Sequence, residues 1–381
     1  MSWPVKPLGQ ICGIVAGQSP PSETYNKNQA GMPFFQGKAD FGELFPTVRT
    51  WCSKPNKLAE PNDILISVRA PVGATNLCNI TACIGRGLAA IKPSDKIDQK
   101  YLLYYFRYFE PILSESGNGA IFSAITMSDL KEIQIPLPPL EVQKKIAAVL
   151  EKADALRRKR EEQIKRLDEL LQATFLDMFG DPVTNPKGWP VKKLGNLGLL
   201  DRGKSKHRPR NAPELLGGAY PLIQTGDIAN SDYYLTEYNS TYSDIGLAQS
   251  KMWKAGVLCI TIAANIAKTA ILGIDACFPD SVVGFIPGKE TNVEFIHIWF
   301  SFFQQILENN APESAQKNIN LAILRDLEVI VPPLNEQDKF KCVFKSIQKD
   351  LKSQQKDSLA QSDSLFNSLM QRAFKGKLEL K

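Results

Sequence analysis

From Ile146 to Met178 apolar residues return every three or four positions, through Leu150, Ala153, Leu156, Ile164, Leu167, Leu171 and Phe175, with Arg160 filling the one gap. Neither Gly nor Pro interrupts residues 141–179, and Gly180-Asp181-Pro182 supplies the stop. The spacing predicts one helix of roughly 38 residues, about 57 Å at ~1.5 Å per residue. A second run, Phe340, Phe344, Ile347, Leu351, Leu359, Phe366, Leu369 and Ala373, predicts a matching helix that halts near Gly376. Both are far longer than the core of a small domain needs, so the economical arrangement pairs them with each other.

Ahead of each long helix the pattern is mixed. Short apolar runs follow turn signals, residues 63–69 after Pro61-Asn62 and residues 257–262 after Gly256, and read as strands. Aromatic residues recur at helical spacing over 101–109 and 295–307; such a stripe belongs in a core before it belongs against nucleic-acid bases. The expected class is therefore α+β.

The two halves retrace each other. Trp3-Pro-Val-Lys-Pro-Leu-Gly9 recurs as Trp189-Pro-Val-Lys-Lys-Leu-Gly195, Ala82-Cys83 as Ala276-Cys277, and Pro138-Pro-Leu-Glu-Val-Gln143 as Pro332-Pro-Leu-Asn-Glu-Gln337. A period this long is a duplicated domain rather than a solenoid. It sets expected boundaries at 1–140 and 181–333 for two globular domains, with long helices over 141–180 and 334–381.

Composition narrows the class. With 381 residues, 43% hydrophobic and 23% charged, the chain is ordinary globular material long enough for two cores. It opens without a basic segment and apolar run of a leader, and the longest apolar stretch, 257–267, is too short to span a bilayer, so no membrane role and a cytoplasmic location are expected. Seven scattered cysteines read as reduced thiols, with Cys83 and Cys277 as small core residues, and no metal site is expected. The net charge is +6, but residues 187–210 alone hold eight basic residues against Asp201. Part of that charge sits on 203–213, where Pro209 and Pro213 preclude a regular helix; concentrated positive charge on such a loop suits phosphate contact.

Catalytic signatures fail on inspection. Gly198-Leu-Leu-Asp-Arg-Gly-Lys-Ser205 spells a nucleotide-binding P-loop, yet prolines follow where the phosphate-facing helix should start, and the repeat mate lacks the lysine. No Pro-Pro pair is followed by the aromatic residue that an amino-methyltransferase needs, and His207 and His297 are too few and too far apart for a histidine hydrolase. The central helix balances nine basic against nine acidic residues over 141–181, which suits a rod that also docks a partner rather than a helix reading DNA.

Two halves opening Trp-Pro-Val-Lys-x-Leu-Gly, each closing on Pro-Pro-Leu-x-x-Gln and a long charged helix, together resemble the specificity (S) subunit of a type I restriction-modification system across essentially the whole chain. Val142 departs from that family's junction motif, where an acidic residue is usual. The resemblance implies two tandem mixed α/β target recognition domains, separated by long helices that form an antiparallel coiled coil with pseudo-two-fold repeat. Each domain would read one half of a bipartite, asymmetric site on double-stranded DNA, with the helix pair fixing the gap. It also implies no catalytic residue, metal or cofactor in this chain: two methyltransferase (M) subunits would carry S-adenosylmethionine, and two restriction (R) subunits ATP and Mg. The competing readings are a coiled-coil adaptor that never reads DNA and a self-sufficient DNA-modifying enzyme.

Within that frame the second domain's candidates are Lys204, Lys206, Arg208 and Arg210 on a flexible cationic loop, with His207 among them. Gln224 and Asn265 carry amides able to pair with adenine, and Lys268 follows as a phosphate contact. In the first domain the analogous choices are Gln36, Lys38, Arg69 and Arg86. Turns at Gly117-Asn118-Gly119 and Gln316-Lys317-Asn318 lie in corresponding late positions and read first as plain connecting turns, with close approach to DNA as the alternative.

Overall fold

A computed structural model describes residues 3–115, 124–263, 265–302 and 319–379. The chain divides into two compact units, Met1–Glu161 with Asp357–Lys381, and Glu162–Lys356. The turns chosen at 117–119 and 316–318, and the end of the aromatic run after residue 302, lie outside the described residues.

In the first unit a four-stranded antiparallel sheet runs in the order Cys12–Ala16, Leu88–Pro93, Ile64–Ser67, Thr75–Leu77. Alternation along its strands feeds two cores. Ile64, Ile66, Ala89 and Ile91 face one that includes Tyr101, Leu102 and Phe106, while Leu65, Leu88 and Ala90 face another with Phe35 and Ile84. Burial on both faces is why these strands read as unbroken apolar runs. The second unit repeats the plan: Leu258, Ile260 and Phe285 face the core of the helix Val293–Ser301, and Cys259 and Val282 the opposite one. Beyond the main sheet, each unit keeps one parallel pair, Met32–Phe35 beside Ala82–Ile84 and Leu216–Leu222 beside Ala276–Cys277. The aromatic residues Tyr101, Tyr104, Tyr105 and Phe106 of the helix Gln99–Glu115 are buried, as are Cys83 and Cys277, in keeping with core roles.

The central helix spans Leu140–Phe179 and stops at Gly180, which adopts φ +79° and donates its N–H to Leu176 O at 2.8 Å. The C-terminal run is helical as Leu334–Lys345, a π-helical stretch Ser346–Lys352, and Ser353–Phe374. In the first unit Ile146 and Leu150, near the start of one helix, share a core with Phe366, Met370 and Phe374 near the end of the other. In the second, Leu171, Phe175 and Phe179 share one with Phe340, Phe344 and Ile347. Start meets end in each, so the pairing is antiparallel.

Two of the periodic positions turn to solvent, Leu156 and Leu351 being 42% and 44% exposed. Charged neighbours are buried instead. Asp154 is enclosed by Arg107 at 2.9 Å and Arg157 at 3.2 Å, and Lys352 sits between Asp168 and Asp232 above the Tyr233 ring. The π-helical stretch adds backbone per turn and rotates the buried stripe off Leu351 and onto Lys352. No helix among the described residues is long and apolar enough to cross a membrane.

His297 packs between Tyr233 and Phe344 with Nδ1 2.8 Å from Thr269 Oγ1. Burial pushes its pKa down to about 3, so the unfolded chain binds a proton that the folded chain refuses. Stability is therefore full above the unfolded value near 6.5 and declines as pH falls from there towards 3. Between pH 6.5 and 5 the loss from this residue should be about 2 kcal/mol, at ~1.4 kcal/mol per unit. Urea denaturation at both pH values should show that loss, and His297→Gln should remove it; an equal pH dependence in the variant would contradict the assignment.

Candidate nucleic-acid interface

In the first unit the strand Cys12–Ala16 leads into Gly17, where an added Cβ would lie 2.1 Å from Gly85 O and 2.6 Å from Leu88 O. Only glycine permits that crossing. It brings Ser19 to the neighbouring turn, where its Oγ accepts from the Arg86 N–H at 3.3 Å. The strand Met32–Phe35 ends at Gln36, whose N–H, like that of Gly37, donates to Asp40 Oδ2, fixing the turn that carries Lys38. Ile64–Ser67 runs out towards Arg69, whose carbonyl accepts from Ser67 Oγ at 2.8 Å.

These strand ends enclose a cleft of about 530 Å³ lined by Gln36, Lys38, Arg69 and Arg86, together with Ser19, Tyr25 and Ser67. All four residues chosen from the first half of the sequence thus share one site. Each is exposed, and among the described residues none of the three cations has a carboxylate at ion-pair distance. Three cations outside ion-pair distance of any described carboxylate, beside a primary amide, can hold a polyanion's phosphates and offer donor and acceptor to a base edge. Ser19, Tyr25 and Ser67 escaped sequence reasoning because hydroxyl residues near turns carry no distinguishing pattern.

The second unit uses the same frame. An added Cβ on Gly203 would lie 2.3 Å from both Phe278 O and Pro279 O, and Gln224 N–H donates to Asp227 Oδ2 at 2.8 Å, as Gln36 does to Asp40. A cleft of about 200 Å³ results, lined by Arg210, Gln224, Ser205, Asn211, Thr225 and Ser281. Of the eight residues chosen here, Arg210 and Gln224 line it. Asn265 and Lys268 lie on a separate exposed turn, where Asn265 adopts φ +44° and its carbonyl accepts from Thr261 Oγ1 and from the Lys268 N–H. By repeat register that turn corresponds to the one carrying Arg69.

The loop expected to be flexible is fastened. The N–H groups of Lys206 and His207 donate to Gln249 Oε1, Lys204 O accepts from Ser250 Oγ, Arg208 Nη1 donates to Ser205 O and His207 O, and His207 Nδ1 lies 3.3 Å from Pro209 O. The local charge excess is also largely compensated. Lys192 pairs with Glu290, Lys193 with Asp326, and both Arg208 and Arg210 with Asp280; Lys187 Nζ donates to the last carbonyls of the central helix, at Asp177 and Met178. Of the lysines and arginines on this loop, only Lys204 and Lys206 lack a carboxylate at ion-pair distance among the described residues.

Comparison with known proteins agrees with this duplicated plan. A type I restriction enzyme specificity subunit of Methanocaldococcus jannaschii, designated MjaX, is 49% identical over 180 residues; the match takes in 46% of this chain and only 42% of that relative. The EcoBI specificity subunit of Escherichia coli is 20% identical over 99% of this chain and 86% of its own length. A chain solved in work on complex assembly and conformational transition of the type I R-M system shares the fold, with a TM-score of 0.56 and 18% identity over 99% of this chain and 98% of that one. The description "Type I restriction modification DNA specificity domain" matches residues 2–166 and again 186–361. Carrying that domain twice, the chain belongs to the type I restriction modification DNA specificity family.

Proposed function

We propose that this chain chooses the DNA sequence on which a type I restriction-modification enzyme acts, each globular domain reading one half of a bipartite, asymmetric site on double-stranded DNA. The carrying observation is the first unit's cleft, where Gln36, Lys38, Arg69 and Arg86 converge with no carboxylate at ion-pair distance of the three cations among the described residues. The paired helices would set the spacer and dock two M subunits, which two R subunits join. On this reading the chemistry is borrowed: S-adenosylmethionine is held by the M subunits, and ATP and Mg by the R subunits, while this chain supplies position. In the second domain Lys204, Lys206, Arg208 and Arg210 contact phosphate or a guanine edge, His207 hydrogen-bonds a base or phosphate, Lys268 contacts phosphate from its separate turn, and Gln224 and Asn265 face bases.

A salt titration of duplex binding by the full chain tests the reading. Each phosphate contact contributes a slope of about 0.9 in log affinity against log salt, so Lys38→Ala, Arg69→Ala and Arg86→Ala together should flatten it by up to about 2.7. Affinity at low salt should fall more than tenfold, roughly 1.4 kcal/mol or more. Unchanged affinity and slope would remove the cleft from the interface. The chain incubated alone with S-adenosylmethionine and DNA should transfer no methyl group, and transfer would favour an enzyme instead.

A further inference from the structure

One position separates the two clefts chemically. Gly17 donates its N–H to Leu88 O and Gly203 to Val282 O, which fixes the repeat register and sets Arg86 against Asp280. Where the first unit places a cation with no carboxylate at ion-pair distance among the described residues, the second places an aspartate on which three arginines converge, two on its carboxylate and one on its backbone carbonyl. Asp280 Oδ1 lies 2.5 Å from Arg210 Nη2 and Oδ2 lies 3.5 Å from Arg208 Nη2, while its backbone carbonyl accepts from Arg202 Nε and Nη2 at 2.9 and 2.6 Å. Arg210 also forms part of the cleft wall with Gln224.

These pairs contribute little to the fold. The Asp280, Arg208 and Arg210 side chains are 31%, 55% and 45% exposed, and ion pairs at such exposure hold a structure weakly. They do govern how the loop meets a polyanion. Sequence-independent attraction to duplex DNA comes from counterions released as cations neutralise phosphates, and a guanidinium already neutralised by an internal carboxylate has few to release.

We propose that Asp280 is a specificity-determining residue that stands in for a DNA phosphate: it occupies Arg208 and Arg210 so that arbitrary sequence cannot engage them, and yields them where the duplex offers a better set of acceptors. The inference rests on the DNA-reading assignment of this cleft. It makes the second domain electrostatically guarded and the first, with Arg86 at the same position, open.

The test uses the full chain and a random-sequence duplex, comparing the wild type with Asp280→Asn, with Arg208→Ala/Arg210→Ala, and with all three changes combined. Asp280→Asn should bind random duplex several-fold more tightly and steepen the salt slope by about one to two, near 0.9 per freed arginine. The gain should vanish in the background lacking both arginines. Asp280→Ser, which keeps the carbonyl held by Arg202, repeats the comparison should the asparagine disturb the loop. Binding by both Asp280 variants equal to or weaker than wild type overturns the proposal, and so does a gain that persists without the arginines, which would be a net-charge effect. Failure of the DNA-reading assignment looks different: the first-unit triple variant would then bind duplex as the wild type does.

Discussion

Replacing Gln337 by Met should lower the unfolding free energy of the second unit by roughly 3 kcal/mol, the cost of stranding several buried polar groups at once. The side chain is wholly buried. Its Oε1 accepts from Thr291 Oγ1 at 3.0 Å and from the Asn292 N–H at 3.2 Å, and its Nε2 donates to Glu290 O at 3.0 Å and Pro332 O at 2.8 Å. Asn292 in turn caps the helix Val293–Ser301 by accepting from the Phe295 N–H at 2.9 Å. One glutamine therefore ties the entry of the long helix to the start of the recognition domain's helix. Gln143 does the same in the first unit, accepting from the Asp98 N–H and donating to Lys96 O and Pro138 O, while Asp98 caps at Tyr101. Gln143→Met should cost about as much. Methionine keeps the length and flexibility of the side chain, so the loss reports the hydrogen bonds rather than a cavity. Glu336→Ala, which removes a partly exposed pair with Lys339 and a hydrogen bond from Asn335 Nδ2, should change stability by less than about 1 kcal/mol. Urea denaturation followed by circular dichroism reads all three. A Gln337→Met midpoint no lower than that of Glu336→Ala would mean that the repeated Pro-Pro-Leu-x-x-Gln signature is kept for another reason.

That signature shows where sequence reading stops. The motif was visible as a repeat, but its purpose lay in carbonyls and N–H groups some forty-five residues upstream, Lys96 and Asp98 in one unit and Glu290 and Asn292 in the other. The long helices were legible because period, the absence of Gly and Pro, and the stop at Gly180 all agree. The π-helical stretch was not, since a buried lysine depends on Asp168 and Asp232, distant carboxylates that no local pattern reveals. At the interface, the four first-unit residues came together because each follows a strand end on the same rim. The second unit's charge excess misled in degree, because Glu290, Asp326 and Asp280 lie about 70 to 130 residues from the cations they neutralise.

Lengthening both long helices by one turn should move the recognised half-sites apart without changing either. Four residues inserted after Glu161 and four after Lys356, at the limits of the two units, add roughly 6 Å to each rod. Four residues also make close to one full turn, so Ile146 and Leu150 in one unit, and Leu171 and Phe175 in the other, keep facing the partners they have now. Duplex DNA rises 3.4 Å per base pair, so the spacer should grow by about two base pairs. Sites with the original spacing would then engage one domain at a time, and their methylation should fall by roughly 10³-fold, the lower end of the gap between specific and non-specific binding. Sequencing of methylated adenines in cells that express the variant with its M subunits reads spacer and half-sites together. A spacer that stays the same, or half-sites that change with it, would refute the ruler, for in that molecule neither domain's reach would be fixed by the helices that join them.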